Sequence, residues 1–312
     1  IIAASFAVAA VASAVLALRP LAIDPDDRFA TPVFAAKLYD TGRTANDGAS
    51  SSIRYADVAF AQPPEREDDL WRTGGILHRH GGGDPQVVVF GSSQALMYGA
   101  LIDDVCRELG LSVAFLTADA GAPVFFHTGV SANFPTRAVA REFDAARRHW
   151  LRTWRPHVVI VADRWEDRAR VPGRFDARLR EFAAEMSPLT TRILFVAQVP
   201  VIARAEQVNL RELVLWRARR EGALPRLPPD ATDARRRETV AIAESVAKAF
   251  PKLRVLRADL PFYRDDGSVR YAEGRDFLYA DDDHLSQAGA EVVRDLFARA
   301  IAEAHEAAAG GP

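Results

Sequence analysis

The chain has one cysteine, Cys106, in 312 residues. An intrachain disulfide is therefore excluded, and the fold must hold by packing and hydrogen bonding. The single thiol leaves the compartment open. Surplus charge is lacking too: 40 basic against 42 acidic side chains leave a net charge of -2. Nucleic-acid binding draws on an excess of cations that displace phosphate counterions, so no nucleic-acid partner is expected. Arginine far outnumbers lysine, but acidic residues are interleaved with it. Runs such as Trp216-Arg217-Ala218-Arg219-Arg220 and Arg235-Arg236-Arg237 read as solvated helix faces. Metal-ligand spacing is missing: His78 and His80 flank Arg79 in a glycine-rich stretch with no carboxylate or cysteine at useful distance. No glycine-rich dinucleotide fingerprint follows the first strand-like run, and no internal repeat is visible. Neither a metal nor another cofactor is expected.

What the chain does have begins with an apolar stretch, residues 1–18, with no charge before Arg19. Roughly 17–25 such residues can cross a bilayer as a helix. A signal peptide would need a basic leader, and none precedes Ile1. The stretch is read as the end of a transmembrane helix whose upstream part is missing, with a trimmed signal peptide or a buried helix as alternatives. Residues 19–84 read as a connector, marked by Asp24-Pro25-Asp26-Asp27, Thr44-Ala45-Asn46-Asp47-Gly48, Gln62-Pro63-Pro64 and Gly81-Gly82-Gly83-Asp84-Pro85.

From residue 86 the pattern alternates. Short apolar runs at Val87–Phe90, Val113–Leu116, Val158–Ala162, Ile193–Ala197 and Leu253–Leu256 read as strands. Helical patterns near 95–109, 136–154, 174–186, 232–249 and 286–308 lie between or after them, and Pro225 to Pro229 is a proline-rich loop. Continuous apolar strands separated by helices predict a parallel sheet covered on both faces. Right-handed crossovers make this α/β domain, residues 85–308, a three-layer α/β/α sandwich.

Two stretches at opposite ends of that domain carry chemistry. Gly91-Ser92-Ser93-Gln94 follows the first strand. In an open parallel sheet, ligands sit beyond the carboxyl ends of the strands. Ser93 is the expected nucleophile and Ser92 its rival; both also suit helix capping. Tyr279-Ala280-Asp281-Asp282-Asp283-His284-Leu285-Ser286 places a carboxylate three residues before a histidine. One helical turn would bring Asp281 and His284 to the same side. Asp281 could then hold one ring nitrogen while the other faces the serine, the arrangement needed for acyl transfer. Ser286 is expected to cap the following helix. His127 could line the cleft, whereas His149 and His157 read as structural.

Those motifs resemble the SGNH hydrolase superfamily, and most closely the SGNH domain at the C-terminus of acyltransferase family 3 membrane proteins. Leu278 to Ala290 is very similar to that family's last block, and Val158 to Trp165 resembles its middle strand. The resemblance covers roughly residues 85–305. It implies an SGNH/flavodoxin-like fold with Ser93 as nucleophile, His284 as base and Asp281 as its orienting partner. The backbone N–H groups of Ser93 and Gly121 would form the oxyanion hole. The chain departs from the pattern in three places. Ser92 and Gln94 stand where the family usually has an acid and a histidine, Ala120-Gly121-Ala122-Pro123 lacks a cysteine, and the asparagine of the wider superfamily has no counterpart near Asp163-Arg164-Trp165. Losing one oxyanion donor typically costs about 2.7–4 kcal/mol of transition-state stabilisation. Arg164 is a candidate to compensate, although a salt bridge is its simpler role.

The resemblance further implies an O-acyltransferase domain anchored by its N-terminal helix on the periplasmic or extracytoplasmic side. An upstream membrane acyltransferase region would deliver the acyl group, acetyl being the family's usual one. A hydroxyl of a cell-envelope glycan would accept it. The alternatives are an esterase that uses water, or a glycan-binding domain whose site has decayed.

Overall fold

Val87, Val88, Val89 and Phe90 expose none of their surface. A strand with alternate residues pointing to opposite faces can bury all of them only between two helical layers. The computed structural model describes residues 73–75, 83–117, 136–203, 210–274 and 276–310. It places this strand, β1 (Val87–Gly91), at the interior of a five-stranded sheet. The others are β2 (Val113–Thr117), β3 (Val158–Ala162), β4 (Arg192–Val196) and β5 (Leu253–Leu256), in the order β2-β1-β3-β4-β5. All four pairings are parallel, with Val87 level with Val113 on one side and Val158 on the other. The expected three-layer α/β/α sandwich is what the chain forms.

Sequence alternation decides which layer each residue feeds. Val87, Val89, Phe115, Val158 and Ile160 share one core with Tyr98, Leu101, Phe297 and Ile301. These last four come from α1 (Ser93–Leu96) with its following turn, α2 (Gly99–Glu108) and α9 (Arg294–Ala309). Val88, Phe90, Val159, Val161, Ile193 and Phe195 face the other core. There they meet α3 (Arg137–Trp154), α5 (Arg174–Met186) and α7 (Asp233–Ala249). Between β3 and α5 lies one short turn of helix, α4 (Trp165–Arg168). α6 (Leu210–Glu221) precedes the proline-rich loop, and a two-stranded hairpin, β6 (Ala272–Glu273) with β7 (Asp276–Phe277), precedes α8 (Gln287–Glu291).

The connection from β1 leads to β2 at one edge, and the connection from β2 returns to β3 on the other side of β1. The chain therefore reverses its winding at the carboxyl ends of β1 and β3, the crevice where ligands bind in doubly wound sheets. The proposed nucleophile follows β1 directly.

One expectation meets a different outcome. Arg236 is not on a solvated face: it is 2% exposed. Its guanidinium pairs with Asp230 at 2.8 Å and Asp233 at 3.3 Å, which offset the cost of burying the charge. Part of the expected connector, Thr73 to Gly75, packs on the body. Trp150 Nε1 donates to the Thr73 carbonyl at 3.0 Å, and Gly75 lies against the Thr117 backbone. The expected transmembrane helix at 1–18 and most of the connector lie outside the described residues. Among the described residues no helix is long and apolar enough to cross a membrane.

Candidate active site

β1 ends at Gly91, where the chain turns sharply into α1. Ser92 adopts an extended conformation and accepts a hydrogen bond from the Gln94 N–H through its side chain, at 3.3 Å. It is the N-cap of α1. Capping fixes Ser92 and leaves the next hydroxyl, that of Ser93, to project from the turn.

The second stretch forms no helical turn. Residues 279–286 make a tight loop, closed by an antiparallel bridge between Tyr279 and Leu285 and by the Ala280 N–H donating to the His284 carbonyl at 2.8 Å. The Asp281 carboxylate organises its interior. Oδ1 accepts from the N–H groups of Asp283 at 2.9 Å and His284 at 2.6 Å. An aspartate bonding the backbone two residues on makes its own turn without a helix. This is why the i, i+3 spacing brings Asp281 to His284 although the helical reading of it fails. Tyr279, fully buried, ties the loop to the Pro200 carbonyl at 2.9 Å. Ser286 accepts from the Gly289 N–H at 3.0 Å and so caps α8, as expected.

The two stretches meet at His284. Nε2 is 2.8 Å from Ser93 Oγ, and Nδ1 is 2.8 Å from Asp281 Oδ2. The hydroxyl, imidazole and carboxylate thus lie in a line, although Ser93 and His284 are 191 positions apart. With the Nδ1 proton held by a carboxylate, Nε2 can accept the serine proton. Gly121 and His127 lie outside the described residues. His149 packs edge-on against Trp150, and His157 Nδ1 is 2.9 Å from His305 Nδ1, away from Ser93.

A second carboxylate, not singled out in the sequence, also reaches the ring. Asp283 Oδ1 is 2.8 Å from His284 Nδ1. Its other oxygen lies 3.2 Å from Arg164 Nη1. Gln94 Nε2 donates to the Asp283 carbonyl at 3.0 Å and to Oδ2 at 3.3 Å. Gln94 therefore clamps the histidine loop onto the serine turn. Arg164 is placed for this by its neighbour: the buried Trp165 stacks on Phe195 at 4.4 Å and donates its indole N–H to the Val196 carbonyl. Arg164 also pairs with the buried Glu166 at 2.9 Å, the salt-bridge role that its sequence suggested.

Burial disfavours a charged His284, but Asp281 and Asp283 outweigh it and hold the imidazolium well above the usual histidine range. Burial likewise opposes ionisation of Asp283, and His284 with Arg164 more than offsets it, so this carboxyl stays low. Asp281, Asp283 and His284 are also the one group of three donors, among the described residues, close enough to hold a cation. The ring nitrogen of that group already faces both carboxylates, so the cluster reads as charge partners around a proton.

At Asp282 the Arg164 charge is only the weakest of the influences. Burial, then Asp283 and Asp281, raise its carboxyl to about 6. A carboxylate whose folded value is raised costs no stability below its unfolded pKa and its full penalty above the folded one. Asp282→Asn should therefore stabilise the protein by about 1 kcal/mol at about pH 8, after allowance for solvent screening, and raise its melting temperature there. The gain should vanish towards about pH 4. Parallel melts of both proteins across that range check it.

The family model for the SGNH domain fused to AT3 domains matches residues 63–299. No curated protein matches the sequence. Among solved structures, the periplasmic domain of a lipopolysaccharide acetyltransferase of Salmonella ser. Paratyphi A is similar over 88% of this chain and 99% of its own, at 13% identity and a TM-score of 0.59. An alpha/beta hydrolase enzyme from the metagenome of Lake Arreo covers 70% of this chain and 95% of its own, at 15% identity and a TM-score of 0.44. A mutant acetyl-xylooligosaccharide esterase of Geobacillus stearothermophilus covers 71% and 95%, at 12% identity and a TM-score of 0.42.

Proposed function

The chain belongs to the family of SGNH domains fused to AT3 domains, and on that premise we propose that it is an O-acyltransferase domain that works through an acyl-serine at Ser93. The observation that carries the reading is the 2.8 Å approach of His284 Nε2 to Ser93 Oγ, with Asp281 at 2.8 Å on the other ring nitrogen. The domain, residues 85–308 in this reading, lies on the extracytoplasmic side. It is anchored by the apolar segment at 1–18 and receives its acyl group from an upstream membrane acyltransferase region. The acceptor is a hydroxyl of a cell-envelope glycan. The similar Salmonella domain, periplasmic and part of a lipopolysaccharide acetyltransferase by its description, supports this placement and favours acetyl.

The chemistry follows from the line of three groups. His284 Nε2 takes the Ser93 proton as Oγ attacks the acyl carbonyl. The N–H groups of Ser93 and Gly121 stabilise the tetrahedral oxyanion. The imidazolium returns its proton to the leaving group of the donor, which departs and leaves the ester on Ser93. A sugar hydroxyl then loses its proton to His284 and attacks that ester, and the proton returns to Ser93 Oγ. Asp281 keeps the Nδ1 proton in place through both halves.

Incubation with a small aryl acetate, with and without an oligosaccharide acceptor, tests the reading. Release of the aryl alcohol and an acetyl mass increment on Ser93 are expected, with acetylated sugar when the acceptor is present. Ser93→Ala should show none of these. Turnover that survives Ser93→Ala would end the covalent reading, and acetate without acetylated sugar would make the domain an esterase.

A further inference from the structure

Two carboxylates on one side of a single imidazole exceed what orientation requires. We propose that Asp283 is a second positioning carboxylate for His284, and that Arg164 and Gln94 set how strongly it holds the Nδ1 proton. This deepens the proposed acyl transfer and rests on it.

The geometry separates the two acids. Asp281 divides its work: Oδ1 caps two backbone N–H groups of the loop, and only Oδ2 faces the ring. Asp283 offers Oδ1 to the ring at 2.8 Å and gives Oδ2 to Arg164 and Gln94. Both acids are therefore held by groups other than the histidine, and neither can swing away without breaking those bonds. The partners differ in kind. Backbone N–H groups fix Asp281, whereas a partly exposed side-chain cation fixes Asp283. The Arg164 side chain is 41% exposed and reaches from the carboxyl end of β3. It is shared with Glu166 at 2.9 Å and Asp167 at 3.8 Å. The charge on Asp283 that the imidazole feels is thus set by how closely Arg164 approaches.

The groups facing His284 can be named by element. Its own loop supplies Asp281, Asp282 and Asp283. The β1–α1 turn supplies Ser93 and, through Asp283, Gln94. The β3–α4 turn supplies Arg164, with Glu166 and Asp167 behind it. The Tyr279 hydroxyl, turned towards Pro200, stays neutral because burial raises its pKa. Two acids, Asp281 and Asp283, against one cation hold the proton on His284 to higher pH than a single acid would. Such a base is strong, but it gives up its own proton only at higher pH than an ordinary histidine. Withdrawing Arg164 from Asp283 would deepen this, and an approach closer than 3.2 Å would relieve it. An acceptor or donor that moved the Arg164 guanidinium would therefore change how readily Ser93 is deprotonated.

The test is the acid limb of kcat/KM against pH for aryl acetate hydrolysis, with the His284 ring titrated in parallel by NMR in the Ser93→Ala background. Asp283→Asn should move the midpoint down by about 1–2 pH units. Arg164→Gln should move it up, and Arg164→Lys should restore most of the original position. The NMR midpoints should shift in the same directions. The proposal is overturned if Asp283→Asn leaves the His284 midpoint in place, or if both substitutions move it the same way. Failure of the acyl-serine reading is a different result: no Ser93-dependent turnover at any pH, while the NMR titration still answers for Asp283 and Arg164.

Discussion

His284→Ala is expected to lower kcat/KM for acyl transfer by roughly 10^4–10^6, the range seen when the base of a serine nucleophile is removed. The ring nitrogen it removes lies 2.8 Å from Ser93 Oγ, where it can take the proton of the attacking hydroxyl. Asp281→Asn should cost less here than the roughly 10^4 typical of an orienting acid. Asn can keep the Oδ1 cap on the N–H groups of Asp283 and His284, so the loop should hold its shape. Its amide would offer an N–H to Nδ1 and favour the wrong tautomer. Asp283, at 2.8 Å from the same nitrogen, opposes that tautomer. A loss of about 10^2–10^3 is therefore expected, and the double substitution with Asp283→Asn should approach that of His284→Ala. Steady-state kinetics of the four proteins, each checked for an intact melt, decide it. A loss in the double variant no greater than that in Asp281→Asn alone would show that Asp283 gives the ring no support.

The pH dependence has the same origin. The base must be neutral to accept the Ser93 proton, and its raised pKa keeps it charged through the usual histidine range. Activity should climb with pH beyond about 6.5 before it levels. A profile already level at that pH would mean that the two carboxylates do not act on the ring as their distances suggest.

What was legible beforehand followed from how each element is specified. Runs such as Val158–Ala162 and Leu253–Leu256 are strands within the expected bounds, and in the first of them continuous burial between two helical layers demands continuous apolar residues. The expected helix at 95–109 is instead two, Ser93–Leu96 and Gly99–Glu108. Met97 and Tyr98 are buried at the break, and the Met97 sulfur accepts from the Leu285 N–H at 3.4 Å. A contact with a residue 188 positions away leaves no local periodicity to read. The last helix divides in the same way at Val292-Val293. The two-residue strands of the hairpin at 272–277 are too short to show any period. At the site, the chain advertised a serine after a strand and an acid three places before a histidine. It did not advertise that a second aspartate, Asp283, would face the ring beside Asp281. That placement is made by Gln94 and Arg164, from two other strand ends. Gln94 read in the sequence only as a departure from the family pattern, but in the fold it bonds Asp283.

Gly91→Ala should be the most damaging of the glycine-to-alanine changes among the described residues. Gly91 has φ +143°, a conformation that side chains with a Cβ rarely adopt. A Cβ there would lie 1.8 Å from the Ala162 carbonyl oxygen and 2.8 Å from the Ala95 Cβ. The first contact is with backbone in the adjacent strand, so relief requires β1 and β3 to part at their carboxyl ends. The conformation alone costs roughly 1–3 kcal/mol, and overpacking adds typically about 1–3 kcal/mol. A total near 4 kcal/mol is a large part of the roughly 5–15 kcal/mol that holds an ordinary domain together. Gly110 supplies the control. It too has a positive φ, +68°, but nothing lies within 4 Å of its missing Cβ. Gly110→Ala should therefore cost only about 1–2 kcal/mol, and urea denaturation of the two variants should show the gap. The consequence for chemistry is separate from stability. β1 leads to Ser93 within two residues, and β3 leads to Arg164 within two. Any Gly91→Ala protein that still folds should have its serine and its arginine displaced from the histidine loop, and should lose activity out of proportion to its loss of fold. If it kept full activity at a lowered melting temperature, the close approach of these two strand ends would not be what positions the site.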